Sequence, residues 1–143
     1  MRTLKARTAV IAAIAITSLV GILGATPANA AAGDCPSGDA CIWREAGYVT
    51  GTNGRDYIRF AQSIYNYIPQ TYRDGGSGND TADSVYNNGR YESVRFYEHW
   101  FQTGQYFTLA KGTGDNNLNN TTGAVTKNWH DRISSGYFAS FWP

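Results

Sequence analysis

The chain has only two cysteines, Cys35 and Cys41, in 143 residues, a scarcity that argues against a cysteine-based zinc site, which wants four ligands and finds no further cysteine. It also lacks Gly-x-Ser-x-Gly, His-Glu-x-x-His and the glycine-rich phosphate loop, so no common hydrolase, zinc-peptidase or nucleotide signature is present. Charged residues make up 16% of the chain and the formal net charge is +1. No basic excess points to nucleic acid or to an anionic membrane. A heptad or a sustained 3.6-residue apolar stripe is missing as well, which argues against a helical domain. The one long apolar run, Ala9 to Leu23, follows Arg2, Lys5 and Arg7 and precedes Ala28-Asn29-Ala30. That layout predicts a secretory signal peptide over residues 1–30, and hence a secreted, extracellular protein with no membrane segment after cleavage; a retained membrane anchor is the alternative, against which stand Thr17, Ser18, Gly21 and Gly24.

Removing 30 residues from 143 leaves 113 for the mature part, residues 31–143. This length suits one domain. With the three leader cations gone, 9 Lys and Arg face 11 Asp and Glu, a net charge of −2. All the aromatic residues (4 Trp, 10 Tyr, 6 Phe) fall in the mature part with most of the glycines, a mixture that favours strands joined by tight turns. Cys35 and Cys41 enclose the turn-like Pro36-Ser37-Gly38-Asp39-Ala40. In an exported chain the expectation is a disulfide, with two free thiols as the alternative.

Patterns recur along this part. Asn79-Asp80-Thr81-Ala82-Asp83-Ser84-Val85-Tyr86 and His130-Asp131-Arg132-Ile133-Ser134-Ser135-Gly136-Tyr137 agree at a shift of 51, which pairs Asp80 with Asp131, Ser84 with Ser135 and Tyr86 with Tyr137. At a shift of 53, Trp43, Glu45, Tyr48, Thr50 and Gly51 match Phe96, Glu98, Phe101, Thr103 and Gly104. At a shift of 49, Tyr57 to Phe60 match Tyr106 to Leu109, so the first half carries four extra residues, 52–55. The repeat predicts four short strands per half, with repeat 1 over about 41–90 and repeat 2 over about 94–143, packed as an all-β sandwich of two Greek keys. The glycine after each aromatic is expected at a φ that other residues resist. Residues 61–67 are compatible with a helical turn and 137–143 with a last strand, whose Phe141 and Trp142 either cover the sandwich edge or form a contact patch.

The paired aromatic-Glu hairpins and paired Asp-x-x-x-Ser turns resemble the βγ-crystallin fold. The opening Cys35-Pro36-Ser37-Gly38-x-x-Cys41-Ile42-Trp43, with Tyr97-Glu98-His99 and the run from Asn79 to Gly89, is similar to small secreted actinobacterial members grouped with a metalloproteinase inhibitor of that fold. The resemblance covers nearly all of the mature part. It implies a secreted, non-enzymatic peptidase inhibitor that blocks an extracellular protease through a loop, with residues 50–55, 70–78 and 111–122 as candidate contact loops. Two departures stand out: two residues rather than one separate aromatic and glycine in each hairpin, and no cysteine after Cys41 offers the second disulfide of the inhibitor.

The resemblance also implies a candidate calcium site, since calcium-binding relatives use two Asn or Asp residues, two free positions and a Ser/Thr-Ser pair, with each copy lending ligands to the other. Asn79, Asp80, Asp83, Asp131 and Ser134 are the candidate ligands, while His130 stands where an oxygen is expected and Arg132 adds a cation. Calcium takes six to eight oxygens, so backbone and water would complete the shell. The alternative is a turn that only hydrogen-bonds its own backbone, and no cofactor is required by either reading. Glu45 and Glu98 invite comparison with a glycosidase pair, but recurrence in both halves favours a role in the hairpin. His130, Asp131 and Ser134 lie too close in sequence to converge as a triad. The sequons at Asn79, Asn119 and Asn120 mark exposed loops. A binding or adaptor module, for wall carbohydrate or a partner protein, is the rival function, and aromatic content is its motive.

Overall fold

The structure, a computed structural model, describes residues 32–51 and 56–141, with Phe141 by its backbone alone; the expected leader and residues 52–55, 142 and 143 lie outside them. Eight strands follow in order: β1 (Ala40–Trp43), β2 (Ile58–Phe60), β3 (Ser63–Ile64), β4 (Ser84–Asn87), β5 (Val94–His99), β6 (Thr103–Leu109), β7 (Gly114–Asp115) and β8 (Ser135–Phe138). They form two antiparallel four-stranded sheets, ordered β2-β1-β4-β7 and β3-β8-β5-β6. Each sheet is therefore three strands from one half plus one from the other. Strand β3, from the first half, pairs with β8, and β7, from the second, pairs with β4. The expected all-β sandwich of two Greek keys is present, and the exchanged strands add a detail that residue patterns did not reveal.

The alternation within β1 explains its complete burial. Ala40 and Ile42 point between the sheets and join Val85, Val94, Phe96, Leu109 and Phe138 in the main core. Phe60 of the first sheet reaches Phe96 and Phe138 of the second, with ring centroids 5.9 and 5.8 Å apart. Cys41 and Trp43 point the other way, where Ala32, Cys35 and Tyr48 cover them in a second apolar cluster. The Cys35–Cys41 disulfide, with Cα atoms 5.9 Å apart, holds that cover on the outer face.

The registers define the repeat. Trp43 faces Ser84 and Ala40 faces Asn87, while Tyr97 faces Ser135 and Val94 faces Phe138. The shift between β4 and β8 is thus 51, as expected, but between β1 and β5 it is 54 rather than 53. Trp43 corresponds to Tyr97, and Glu98 corresponds to Arg44, not to Glu45. Strands β2 and β6 keep the shift of 49, so the first half carries five extra residues between these strands instead of four. Two further expectations change. Residues 61–67 hold strand β3 and no helical turn, because Ser63 and Ile64 complete the sheet edge beside β8. The last strand stops at Phe138, and a 3₁₀ turn over Ala139–Phe141 follows it.

Both hairpins fold back in the same way because the two serines clamp them. Ser84 Oγ accepts from Tyr48 N (3.1 Å) and donates to the Glu45 carbonyl (2.7 Å). Ser135 Oγ accepts from Gln102 N (3.1 Å) and donates to the His99 carbonyl (2.5 Å). Both serines are fully buried, so removing either hydroxyl deprives a backbone donor and a backbone acceptor of their partner. Ser84→Ala and Ser135→Ala are each expected to lower stability by about 1–3 kcal/mol, to a similar extent because the clamps are equivalent. Urea unfolding checks this, and a loss confined to one variant would contradict the equivalence.

Candidate functional site

The two Asp-containing turns meet across the pair of halves. Asp80 and Asp131 occupy the left-handed region at φ 52° and 54°, a conformation that Asp tolerates better than most residues. Each turn is tied to the other's backbone: Asp80 N donates to the Ile133 carbonyl (3.1 Å) and Asp131 N to the Ala82 carbonyl (3.2 Å). Two half-sites result. In the first, Asn79 Nδ2 donates to Asp80 Oδ2 (2.6 Å), and Ser134 Oγ donates to Asp80 Oδ1 (2.8 Å). In the second, His130 lies between two carboxylates, its Nδ1 2.9 Å from Asp83 Oδ1 and its Nε2 3.3 Å from Asp131 Oδ2.

The five candidate ligands thus fall into two groups, Asn79, Asp80 and Ser134 apart from Asp83 and Asp131. The first group offers oxygens, the donor a hard cation takes, although Asn79 Oδ1 also accepts from Trp100 Nε1 (3.2 Å). The second does not fit such an ion, because an imidazole occupies the space between its carboxylates. Among the described residues, no group of three or more His, Cys, Asp or Glu is arranged to hold a metal. His130 and Asp131 do meet, but Ser134 donates to Asp80 in the other half-site, so the three do not form a nucleophilic triad.

The loop of residues 70–78 is closed on itself and wrapped around one cation. Thr71 and Ser77 form an isolated bridge, Tyr72 N donates to the Gly76 carbonyl (2.8 Å), and Gly75 N to the Tyr72 carbonyl (2.9 Å). Arg44 pairs with Asp74 at the tip and, at 3.4 Å, with Asp56. Its guanidinium stands 5.0 Å from the centre of the Tyr72 ring, and a Cβ at Gly76 would collide with it. The Gly76 N–H and Arg44 together hold the Asp74 carboxyl below the ordinary aspartate range, while burial pushes the Tyr72 phenol up to about 12. Arg73 and Asp74 remain exposed at the tip.

The loop that begins at residue 111 is anchored differently. Asp115, itself buried, accepts from Asn117 N (3.0 Å) and from Val125 N (2.8 Å), while Leu118, Val125 and Trp129 sink into the core. Of the third candidate loop, residues 50–55, only 50 and 51 are described; Gly51 and Gly104 both have positive φ, 62° and 82°, as expected for these glycines, although at the shift of 54 Gly104 falls on Thr50 and the two do not correspond.

Residues 100 and 101 are the functional candidates that sequence reasoning missed. With the shift of 54, Gly47 and Tyr48 correspond to Phe101 and Gln102, and all four are left-handed, at φ 81°, 60°, 54° and 56°. Where the first half has glycine, the second carries a phenylalanine that is 66% exposed. A left-handed conformation costs a side-chain-bearing residue of the order of 1 kcal/mol, and such strain persists where its surroundings fix it. Here Phe101 N donates to the Tyr65 carbonyl (2.8 Å), and Ser135 holds Gln102. Trp100 and Phe101 line a cavity of about 440 Å³ together with Asn79, Asp80, Glu98 and Ser134. Arg132 Nη2 donates to Glu98 Oε1 (2.6 Å) and holds that carboxyl below its ordinary range. The signal available in the sequence was the glycine at 47 against phenylalanine at 101, visible only in the correct register. Phe101→Gly is expected to raise stability by about 1 kcal/mol by removing the left-handed strain; thermal unfolding checks it, and a loss of that size would contradict it.

Comparison with known proteins agrees with the fold. The model of peptidase inhibitor family I36 matches residues 28–105, which is 78 of the 143. A solved structure concerned with the evolution of the eye-lens βγ-crystallin domain fold is similar with a TM-score of 0.56 and 20% identity, over 75% of this chain and 91% of that one. A βγ-crystallin from Ciona intestinalis is similar with a TM-score of 0.52 and 14% identity, over 71% of this chain and 99% of that one. At these identities the likeness shows the fold alone. No curated protein matches the sequence.

Proposed function

The chain belongs to peptidase inhibitor family I36, and from that membership we propose a secreted, non-enzymatic inhibitor that presents the loop of residues 70–78 to an extracellular peptidase. The observation that carries the choice of loop is the matched span. Residues 28–105 contain 50–55 and 70–78 and end before 111–122, and of the two loops inside the span 70–78 is the one described throughout. The loop also has the property an inhibitor needs. An inhibitory segment loses little conformational freedom on binding if it is already held, and Arg44 holds this one from beneath through Asp74, Gly76 and Tyr72. No described helix is long and apolar enough to cross a membrane.

Exposed aromatics favour the second reading, a module for wall carbohydrate or a partner protein. Tyr65, Trp100 and Phe101 are exposed by 58%, 44% and 66%, and the Phe101 to Tyr65 hydrogen bond places their backbones side by side. Titration of thermolysin-like and subtilisin-like peptidases separates the two. The inhibitor reading expects loss of peptidase activity at micromolar protein. It also expects Arg44→Ala to weaken inhibition by about tenfold and to be cut within residues 70–78. Full peptidase activity at micromolar excess, with protein sedimenting on cell walls, would transfer the function to the second reading.

Calcium enters this proposal only at the first half-site, where Asn79, Asp80 and Ser134 supply oxygens. A ligand that binds only the folded state raises the melting temperature. Excess calcium is therefore expected to raise it relative to chelator in the natural sequence and not in Asp80→Ala. An unchanged melting temperature in the natural sequence would remove calcium from the account.

A further inference from the structure

We propose that the cavity beside Trp100 and Phe101 is a subsite for a basic side chain, lysine or arginine, presented by a protein partner. That this partner is a peptidase rests on the inhibitor reading; that the cavity takes a cation does not. Three observations converge. The cavity, at about 440 Å³, is in the range of small-ligand sites. Trp100 and Phe101 are among its lining residues, and an indole or phenyl face attracts a cation lying within about 6 Å of its centre while its edges shelter the aliphatic stem. The lining also carries the carboxylates of Asp80 and Glu98, beside the His99 imidazole. Arg132 neutralises Glu98, but Asp80 has no ion-pair partner among the described residues. There its carboxylate accepts from Asn79 and Ser134, which leaves part of its acceptor capacity for an incoming N–H.

The backbone adds an argument that charge alone would not supply. Phe101 stands where the equivalent hairpin uses glycine, is held at φ 54° and is 66% exposed. An aromatic ring displayed largely to solvent from a strained position gains the fold little, and a benefit in something it touches outside the chain accounts for it. The cavity also adjoins the proposed inhibitory loop. Asn79 directly follows residues 70–78, and its side chain accepts from the Trp100 indole. A partner seated on the loop would therefore bring its own surface side chains to this cavity.

The test uses ¹⁵N-labelled protein in chelator, titrated with N-acetyl-arginine methylamide and, separately, with the neutral isostere N-acetyl-citrulline methylamide. The arginine probe is expected to shift the Trp100 indole and Phe101 amide signals saturably, in the millimolar range typical of one such contact (about −4 kcal/mol), with little shift from citrulline. Asp80→Asn keeps a residue that tolerates left-handed φ and is expected to weaken the probe by about tenfold. Phe101→Gly, whose fold is not strained by the change, is expected to weaken it as well. Equal shifts from both probes, no shift from either, or an unaltered affinity in Asp80→Asn would overturn the subsite. Peptidase inhibition measured on the same proteins keeps the two ideas apart. Arginine binding without inhibition leaves the subsite and removes the inhibitor; inhibition by the natural sequence, with no arginine binding by that same sequence, does the reverse.

Discussion

The exchange of β3 and β7 between the sheets is the constraint on which the rest depends. Each of these strands is two residues long, too short to be stable at an edge by itself, and each is held by a longer strand of the opposite half. A half removed from its partner would lose one sheet edge and expose the face that Phe60, Phe96 and Phe138 share. The cross-ties at the Asp turns follow from the same arrangement, since the backbone N–H groups of Asp80 and Asp131 each donate to the other turn. Ordering one turn orders the other, and this is why the candidate half-sites are shared and not duplicated side by side.

Within that symmetric frame, the chemistry sits where the halves differ. Ser84 and Ser135 do the same work with the same atoms, as expected for groups that only shape a hairpin. Arg44 and Glu98 occupy equivalent places with opposite charge, and each fastens a different segment: Arg44 the loop of residues 70–78, Glu98 the turn that bears Arg132. Asn79 is replaced by His130, which fills its half-site with nitrogen. Gly47 is replaced by Phe101, which trades an unstrained backbone for an exposed ring. A duplicated scaffold supplies its own control: what both copies keep supports the fold, and what one copy alone has acquired is a candidate for binding.

Much of the fold was legible in the sequence because its constraints are chemical and local. The shift of 51 emerged from Asp80, Ser84 and their counterparts, residue types that few others can replace in a left-handed turn or a hydroxyl clamp. The disulfide was legible because Cys35 and Cys41 had no alternative partners. The hairpin shift was misjudged by one position because Phe96 and Tyr97 are both aromatic, so residue type did not discriminate the inward from the outward face; pairing across to β8 does, and the register irregularity between Tyr97 and His99 further obscures it. Strand β3 was not legible at all. Two residues, Ser63 and Ile64, have no periodicity to read, and only the edge of β8 makes them a strand. The candidate site suffered most from that single misplaced residue, since the Gly47 to Phe101 replacement vanishes when Tyr48 is set against Phe101.

The loop of residues 70–78 and the aromatic hairpin are linked by more than proximity. Arg44 sits at the end of β1, immediately after Trp43, whose partner in the sheet is Ser84, and Ser84 clamps the first hairpin. The loop's anchor is therefore an extension of the most buried strand of the first sheet. Trp100 and Phe101 hang from the equivalent end of β5, clamped by Ser135. Both exposed features are thus rigidly mounted on central strands, one in each sheet, and Asn79 bridges them through the Trp100 indole. A partner engaging both would meet a surface set by backbone pairing within the sandwich, with little freedom left to lose on contact.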